Sequence, residues 1–431
     1  MPRPAQLAGT YLAARTRFGI KFGLGTMRVL LAEMGHPERG FPSLLVAGTN
    51  GKGSVVAYVD AVLRASGLRT GRYTSPHLVR VNERIVVGGR EITDGALETA
   101  VARVRNAAGR LVRAGRIRQH PTFFEALTAA AFDHFRRAAV DIAVLEVGMG
   151  GRLDATNVAE PLASAIVSID FDHQAYLGTT LAAIAREKAG VLRRGRTTVV
   201  GSMPREARRA IATRARAVGA RLVDARRGAV VRAGSDGLDV RTPVARYRAL
   251  HPLPGAHQHD NLLVALRLVE VAKAAGLALD LRRAAEGIET TRWPGRLQWI
   301  DGDPPLLLDG AHNPAGARAL AAQLRTLPPF VLLFGVMADK DVEAVAARLF
   351  PLAAAVVLTR PRVSRAASPT AIARRAGALG RGAEREADPR AALALARRRA
   401  KALGPGTPVV VAGSLYLVGE VLALRMGVRR K

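Results

Sequence analysis

The chain has 431 residues, 49% of them hydrophobic, which is more than one core needs and excludes wholesale disorder; two or three domains are expected. It has no cysteine, which excludes disulfides, zinc ribbons, iron–sulfur clusters and thiol nucleophiles. A formal charge of +30 raises the question of nucleic acid, but the basic residues are spread along the chain, and short clusters such as Arg397-Arg398-Arg399 lack the interleaved aromatics of single-strand binders.

In chain order, the N-terminal stretch Met1 to Gln6 has no apolar signal-like core, and no apolar run reaches membrane-spanning length. The chain is therefore expected to be a soluble cytoplasmic monomer. Apolar runs predict strands at 43–47, 140–147, 163–169, 197–201, 305–308, 330–335, 354–359 and 407–412. Amphipathic stretches between them predict helices at 94–114, 122–137, 179–191, 260–274 and 315–324, and Ala/Arg-rich periodicity predicts a surface helix at 384–402. The alternation reads as an α/β protein with mainly parallel strands: a P-loop mononucleotide-binding N-terminal domain and a smaller Rossmann-like α/β C-terminal domain. The proline and glycine of Thr291-Arg292-Trp293-Pro294-Gly295-Arg296 put the boundary there, giving domains 1–292 and 293–431 with the chemistry in the cleft between them.

The most telling segment is Gly48-Thr49-Asn50-Gly51-Lys52-Gly53-Ser54, between an apolar strand and a helix. Backbone N–H groups at a helix N-terminus, together with a lysine, make a phosphate cradle. The spacing departs from the ordinary Walker A pattern, because Val46 stands where a glycine is expected and Gly53 separates Lys52 from the hydroxyl of Ser54.

Other residues carry chemistry by position. Glu146 ends an apolar strand ahead of Gly148, Gly150 and Gly151, where α/β sheets place ligands; a salt-bridge carboxylate is the plainer reading. His173 also follows a buried run and is a candidate metal ligand. Ser75 alone would pass as a turn serine, and Lys188 could simply pair with Glu187 or face solvent. Phe123, Phe124 and Glu125 suit a flat heterocycle that offers N–H donors, or else the two rings belong to a helix core.

GTNGKGS at 48–54, TSPHL at 74–78, TFFEAL at 122–127, LEVGMGGRLDATN at 145–157, DH at 172–173, LGTTLAAIAREKAG at 177–190, PGR at 294–296, LLDGAHNP at 307–314, ADKD at 338–341 and GSLY at 413–416 follow one another. In this order they resemble the folylpolyglutamate synthase/dihydrofolate synthase family of the Mur ligase superfamily, from about residue 20 to 420. The resemblance implies an ATP-dependent ligase that adds L-glutamate to dihydropteroate, to the glutamate tail of reduced folates, or to both, through an acyl phosphate.

By the same resemblance, Thr49 to Ser54, Asn261, Arg296 and Asp309 hold ATP, and Ser75, Glu146 and His173 hold one or two Mg²⁺ ions. Lys52, Glu146, His173 and Lys188 are the catalytic group, with Lys188 carbamylated. The pterin falls to Lys21, Phe22, Gly23, Leu24, Thr122, Phe123, Phe124, Glu125, Leu153, Asp154 and Ala155. Gly25-Thr26 stands where Glu-Arg commonly follows Gly-Leu. His312 and Ser414 are candidates for the incoming glutamate. Another Mur-type amino-acid ligase, or a basic P-loop ATPase that binds nucleic acid, are the competing readings; the TSPHL and TFFE segments disfavour the first.

Overall fold

The computed structural model describes residues 4–15 and 23–427. Two mainly parallel sheets carry the chain. The first is built from β1 (Ser43–Ala47), β2 (Thr70–Tyr73), β3 (Ile85–Val87), β4 (Arg90–Glu91), β5 (Ile142–Glu146), β6 (Ala163–Ile166), β7 (Thr197–Val200) and β8 (Arg221–Asp224). Their order in space is β4-β3-β2-β5-β1-β6-β7-β8, parallel except where β3 and β4 turn back at one edge.

β1 lies at the centre, paired in register with β5 (Val46 opposite Glu146) and with β6 (Val46 opposite Ala165). All five of its residues are buried, as a strand covered on both faces must be. Leu45 and Ala47 feed the core on one side, and Leu44 and Val46 the core on the other. Each fully buried Leu or Val here contributes about 2 kcal/mol by transfer. The helix Lys52–Ala65 is buried on nearly every side, between this sheet and the helices His257–Ala274 and Ala284–Glu289.

The second sheet is built from β12 (Gln298–Ile300), β13 (Leu306–Leu308), β14 (Val331–Phe334), β15 (Ala355–Leu358), β16 (Glu384–Arg385) and β17 (Val409–Ala412), in the order β12-β13-β17-β14-β15-β16. Between the two sheets in sequence lies an antiparallel three-stranded sheet of β9 (Val230–Gly234), β10 (Gly237–Arg241) and β11 (Arg246–Leu250). The apolar-run reading missed this one. β9 is mostly exposed, so it has no continuous hydrophobic run to reveal it.

The surface helix expected at 384–402 is corrected. Glu384–Arg385 pairs with β15 as an edge strand, and the helix runs Pro389–Leu403. Asp388 caps it through the N–H groups of Arg390 and Ala391, and Pro389 occupies the first turn. The stretch 179–191 narrows to a helix at Leu181–Lys188, capped by Thr180 and followed by a 3₁₀ turn at Ala189–Val191. The helix expected from 260 begins at His257.

The two sheets' bodies meet through the loop after β2. Leu78 and Val79 at its tip are buried in the core of the second body, beside Val418 and Val421 of the helix Leu415–Arg425. Glu83 fixes the loop by accepting the N–H groups of Leu78, Val79 and Arg80 at 2.7–2.8 Å. A Cβ at Gly419 would lie 1.9 Å from the Leu78 carbonyl oxygen, so the helix approaches the loop only because that side chain is missing. Alanine normally gains about 1 kcal/mol over glycine inside a helix. Gly419→Ala is nevertheless expected to lower stability by about 1–3 kcal/mol through overpacking, read as a shift of the urea midpoint at constant m-value.

Candidate active site

Four loops follow β2, β5, β1 and β6, which are neighbours in space and point the same way, so the sheet brings TSPHL, LEVGMGG, GTNGKGS and the DH segment to one edge. That edge, at the carboxyl ends of parallel strands, is where such sheets bind ligands.

The phosphate loop is clipped to the segment after β6. The Thr49 N–H donates to the Ser168 carbonyl at 2.8 Å and the Thr49 hydroxyl to the Asp170 carbonyl at 3.1 Å; the Asn50 N–H donates to Ser168 Oγ at 3.0 Å. Lys52 folds back over its own loop, donating to the carbonyls of Gly48 and Thr49 at 3.1 and 3.2 Å.

The departure at Gly53 has a steric cause: a Cβ there would sit 2.5 Å from the Trp293 indole, and at Gly51, the glycine the pattern keeps, a Cβ would sit 2.2 Å from Asn261 Oδ1. The hydroxyl displaced to Ser54 is buried and accepts from Gln258 Nε2 at 3.2 Å, while Asn261 Nδ2 donates to Gln258 Oε1 at 3.0 Å. Asn261 was expected at this loop; Gln258 and Trp293 were not, although Gln258 lies one helical turn before Asn261.

Glu146 is buried at the end of β5 and accepts the Ser75 N–H at 2.9 Å; the Ser75–Pro76 peptide that follows is cis. Burial raises its carboxyl above the usual range, opposed chiefly by the charge of Lys52. Burial also pushes the His173 imidazole down to about 4, against the pull of Asp172, so the ring is neutral and free to ligate. Lys188 is buried, and its Nζ donates to the Gly48 carbonyl at 2.9 Å. Burial, helped by the charge of Lys52, lowers its amine to about 7.

These groups suit a divalent ion that arrives with its own ligands. Among the described residues no cluster of three or more acidic or imidazole groups forms a ready cage. One carboxylate, one hydroxyl and one imidazole leave most of an octahedral shell to phosphate oxygens and water.

A cavity of about 350 Å³ opens beside them. Of the residues expected to hold a pterin, Gly23, Thr122, Phe124, Glu125, Leu153, Asp154 and Ala155 line it. Lys21 and Phe22 lie outside the described residues. Leu24, which is not among the lining residues, is buried at the position that precedes the helix Gly25–Glu33. Phe123 points away beneath the Arg84 guanidinium, 5.2 Å from its ring, because adjacent residues on a helix diverge by about 100°. Phe124 packs on Gly148, where a Cβ would come within 2.6 Å of the ring.

The two acids of this wall differ. Glu125 Oε2 accepts the Thr122 N–H at 2.8 Å in a capping box, and its Oε1 is buried without a partner. Asp154 is instead committed to the N–H groups of Met149 and Thr156 and to the Thr156 hydroxyl. A buried, unpartnered carboxylate oxygen is costly unless a ligand donates to it.

His312 and Ser414 line the same cavity, joined by Lys340, Tyr416 and the unforeseen Arg84 and Arg365. Arg296 lies over Gly310, where a Cβ would fall 2.5 Å from its Nη1. Asp309 accepts the N–H groups of Leu297 and Ala311 at 3.0 and 2.9 Å, so its carboxylate organises the turn that carries Arg296. A second cavity of about 730 Å³, lined by Gly53, Trp293, Arg296 and Glu146, meets the first at Ser75 and Pro76.

The Mur ligase middle domain matches residues 46–269, and the Mur ligase glutamate ligase domain matches 295–415. A folylpolyglutamate synthase of Lacticaseibacillus casei is 36% identical, over 92% of this chain and 93% of the relative. A probable bifunctional folylpolyglutamate synthase/dihydropteroate synthase of Haloferax volcanii is 37% identical over 96% of this chain, which spans about half (49%) of that longer relative. Among solved structures, Mycobacterium tuberculosis folylpolyglutamate synthase complexed with ADP superposes with a TM-score of 0.89 at 32% identity, covering 98% of each chain. A bifunctional folylpolyglutamate synthase/dihydrofolate synthase with Mn, AMPPNP and L-glutamate bound superposes at 0.84 with 30% identity, covering 97% of this chain and 98% of the other. With both Mur ligase domains in sequence and a near full-length match in sequence and fold, the chain belongs to the folylpolyglutamate synthase/dihydrofolate synthase family of Mur ligases.

Proposed function

We propose that this chain is an ATP-dependent carboxylate–amine ligase that joins L-glutamate to dihydropteroate, to the glutamate tail of reduced folates, or to both. The observation that carries the reading is the pairing of a phosphate loop and buried Glu146 with a cavity lined by Glu125, one of whose carboxylate oxygens is buried without a partner. The domain division at 292/293, a monomeric state, a cytoplasmic location and small-molecule rather than nucleic-acid partners belong to the same proposal.

In the reaction, a carboxylate oxygen of the pterin substrate attacks the γ-phosphorus of ATP and ADP leaves. The glutamate amine then attacks the acyl carbon, the C–O bond to phosphate breaks, and the nitrogen gives up its proton. A free carboxylate needs this activation because oxide is not a leaving group. Lys52 and the N–H groups of residues 51–54 hold the phosphates, with Arg296 at the junction adding a second cation. Glu125 accepts from the pterin N–H groups while Phe124 covers the ring. His312 and Ser414 hold the incoming glutamate.

Ser75, Glu146 and His173 would hold one or two Mg²⁺ ions, in keeping with the Mn and AMPPNP of the related structure, and the metal supplies charge neutralisation for phosphoryl transfer. Lys188 is read as a carbamate. An amine lowered to about 7 is neutral enough near neutral pH to add CO₂: the nitrogen lone pair forms the N–C bond and one proton leaves the nitrogen for water, so the neutral amine becomes an anion.

Lys52→Ala and Glu146→Ala are expected to cut pterin-dependent ADP release by roughly a hundredfold or more, with the circular dichroism spectrum retained. Assays run separately with dihydropteroate and tetrahydrofolate assign the acceptor, and wild-type-like turnover in either variant overturns the ligase reading. Glu125→Ala is expected to raise KM for dihydropteroate about 10- to 100-fold while leaving KM for ATP unchanged, as loss of a hydrogen bond to a charged group predicts. Carbamylation should rise with pH, from little at about pH 6 to most of its extent by about pH 8, since only the neutral amine reacts. Labelled bicarbonate followed by ¹³C NMR reads it, and Lys188→Arg should lose the signal.

A further inference from the structure

We propose that Lys340 and Asn313, both from the body built on the second sheet, are positioning residues that hold His173 in place through Asp172, so that the divalent-metal site is assembled across the interface between the two bodies. The inference rests on the reading that Ser75, Glu146 and His173 hold the metal.

Asp172 is the hub. Its Oδ1 accepts its neighbour's backbone N–H, that of His173, at 2.9 Å, and also accepts Lys340 Nζ at 2.5 Å. Its Oδ2 accepts Asn313 Nδ2 at 3.1 Å and lies 3.6 Å from His312 Nε2 and 3.9 Å from His173 Nε2. Every partner of Asp172 apart from His173 thus comes from the second body.

What Asp172 holds is an uncommon backbone. His173 stands at φ 51 and ψ 37, a left-handed conformation that a residue with a Cβ adopts only when its surroundings impose it. The following helix, Gln174–Leu177, is a single turn and supplies little restraint of its own. On the other side, the segment is tied to the phosphate loop through Thr49 and Asp170. His173 is therefore suspended between a fixed base and a clamp from the other body.

The clamp is built to be rigid. Lys340 and Asp172 side chains are only 8% and 9% exposed, so water competes poorly for either charge. Asn313 caps the helix Pro314–Leu324 through the Gly316 N–H at 2.8 Å, which fixes where its amide points. That amide also exchanges hydrogen bonds with the Asn50 side chain at 3.0 and 3.3 Å, so one asparagine grips both the phosphate loop and the hub. The neighbouring Arg318–Asp170 pair at 2.6 Å spans the same interface, but Arg318 is 53% exposed and contributes less.

The test measures Mn²⁺ uptake by the full chain in the presence of AMPPNP, from the loss of the free-ion EPR signal, alongside metal-free ADP affinity by calorimetry. Lys340→Met is expected to weaken Mn²⁺ binding roughly 10-fold or more, as removal of an outer support of a metal ligand does, with ADP affinity unchanged and Lys340→Arg restoring most of the loss. Mn²⁺ affinity within about twofold of wild type overturns the proposal, and so does a variant whose sole defect is a raised KM for glutamate, since Lys340 would then serve the substrate directly. Should Lys340→Met fail to fold, Asn313→Ser keeps the helix cap but cannot reach Asp172, and its Mn²⁺ affinity is read in the same way. Absence of Mn²⁺ uptake by the wild type overturns the metal reading itself, and the inference with it.

Discussion

The parallel pairing of β2, β5, β1 and β6 is the constraint from which the rest of the site follows. Four adjacent strands that point the same way must release their loops at one edge, so residues separated by over a hundred positions in sequence meet without any dedicated scaffold. Ser75, Glu146, Lys52 and His173 each stand just past or at the end of one of those strands. Slippage of β5 against β1 by one residue would turn Glu146 to the other face and remove the carboxylate from beside Ser75 and Lys52.

Scarcity of acid shapes the electrostatics of this chain. With 35 acidic residues against 65 basic, a buried carboxylate rarely serves a single partner. Asp133 takes Arg103, Arg136 and Arg137; fully buried Asp60 takes Arg64, Arg72 and Thr70. Glu270 gathers Arg267, Thr242 and Tyr247 and so ties the antiparallel sheet to the helix His257–Ala274. Asp172 and Glu83 follow the same rule at the interface. Each is a point where one substitution would strand several polar groups at once.

The strands β1, β5, β6, β7, β13, β14, β15 and β17 and the motif residues at their ends were legible because both leave local marks: short runs rich in apolar residues, and glycines next to charged side chains. Glu146 and Lys52 stood out for that reason. The parallel β2 and β8 left no such mark, since Arg and Asp interrupt their short runs. The antiparallel sheet of β9–β11 was not legible, since its faces are half exposed and its sequence carries Arg and Asp at alternate positions. Contacts made by packing alone were equally hidden. Nothing near Phe123 says that it, rather than Phe124, would turn to Arg84, and nothing near Asp309 says that its oxygens are taken up by backbone N–H groups of its own turn. Gly53 was visible as an irregularity, but its cause lies 240 positions away in Trp293.

That last contact carries an evolutionary consequence. Position 53 and position 293 share one volume, so neither can change freely: a side chain at 53 needs a smaller residue at 293, and loss of the indole leaves a gap beside the phosphate loop and removes the ring on which Arg72 lies, 5.5 Å from its centre. The two sites should vary as a pair. The ordinary Walker spacing, with the hydroxyl next to the lysine, is closed to this chain as a single substitution, because the indole must move before a serine can enter.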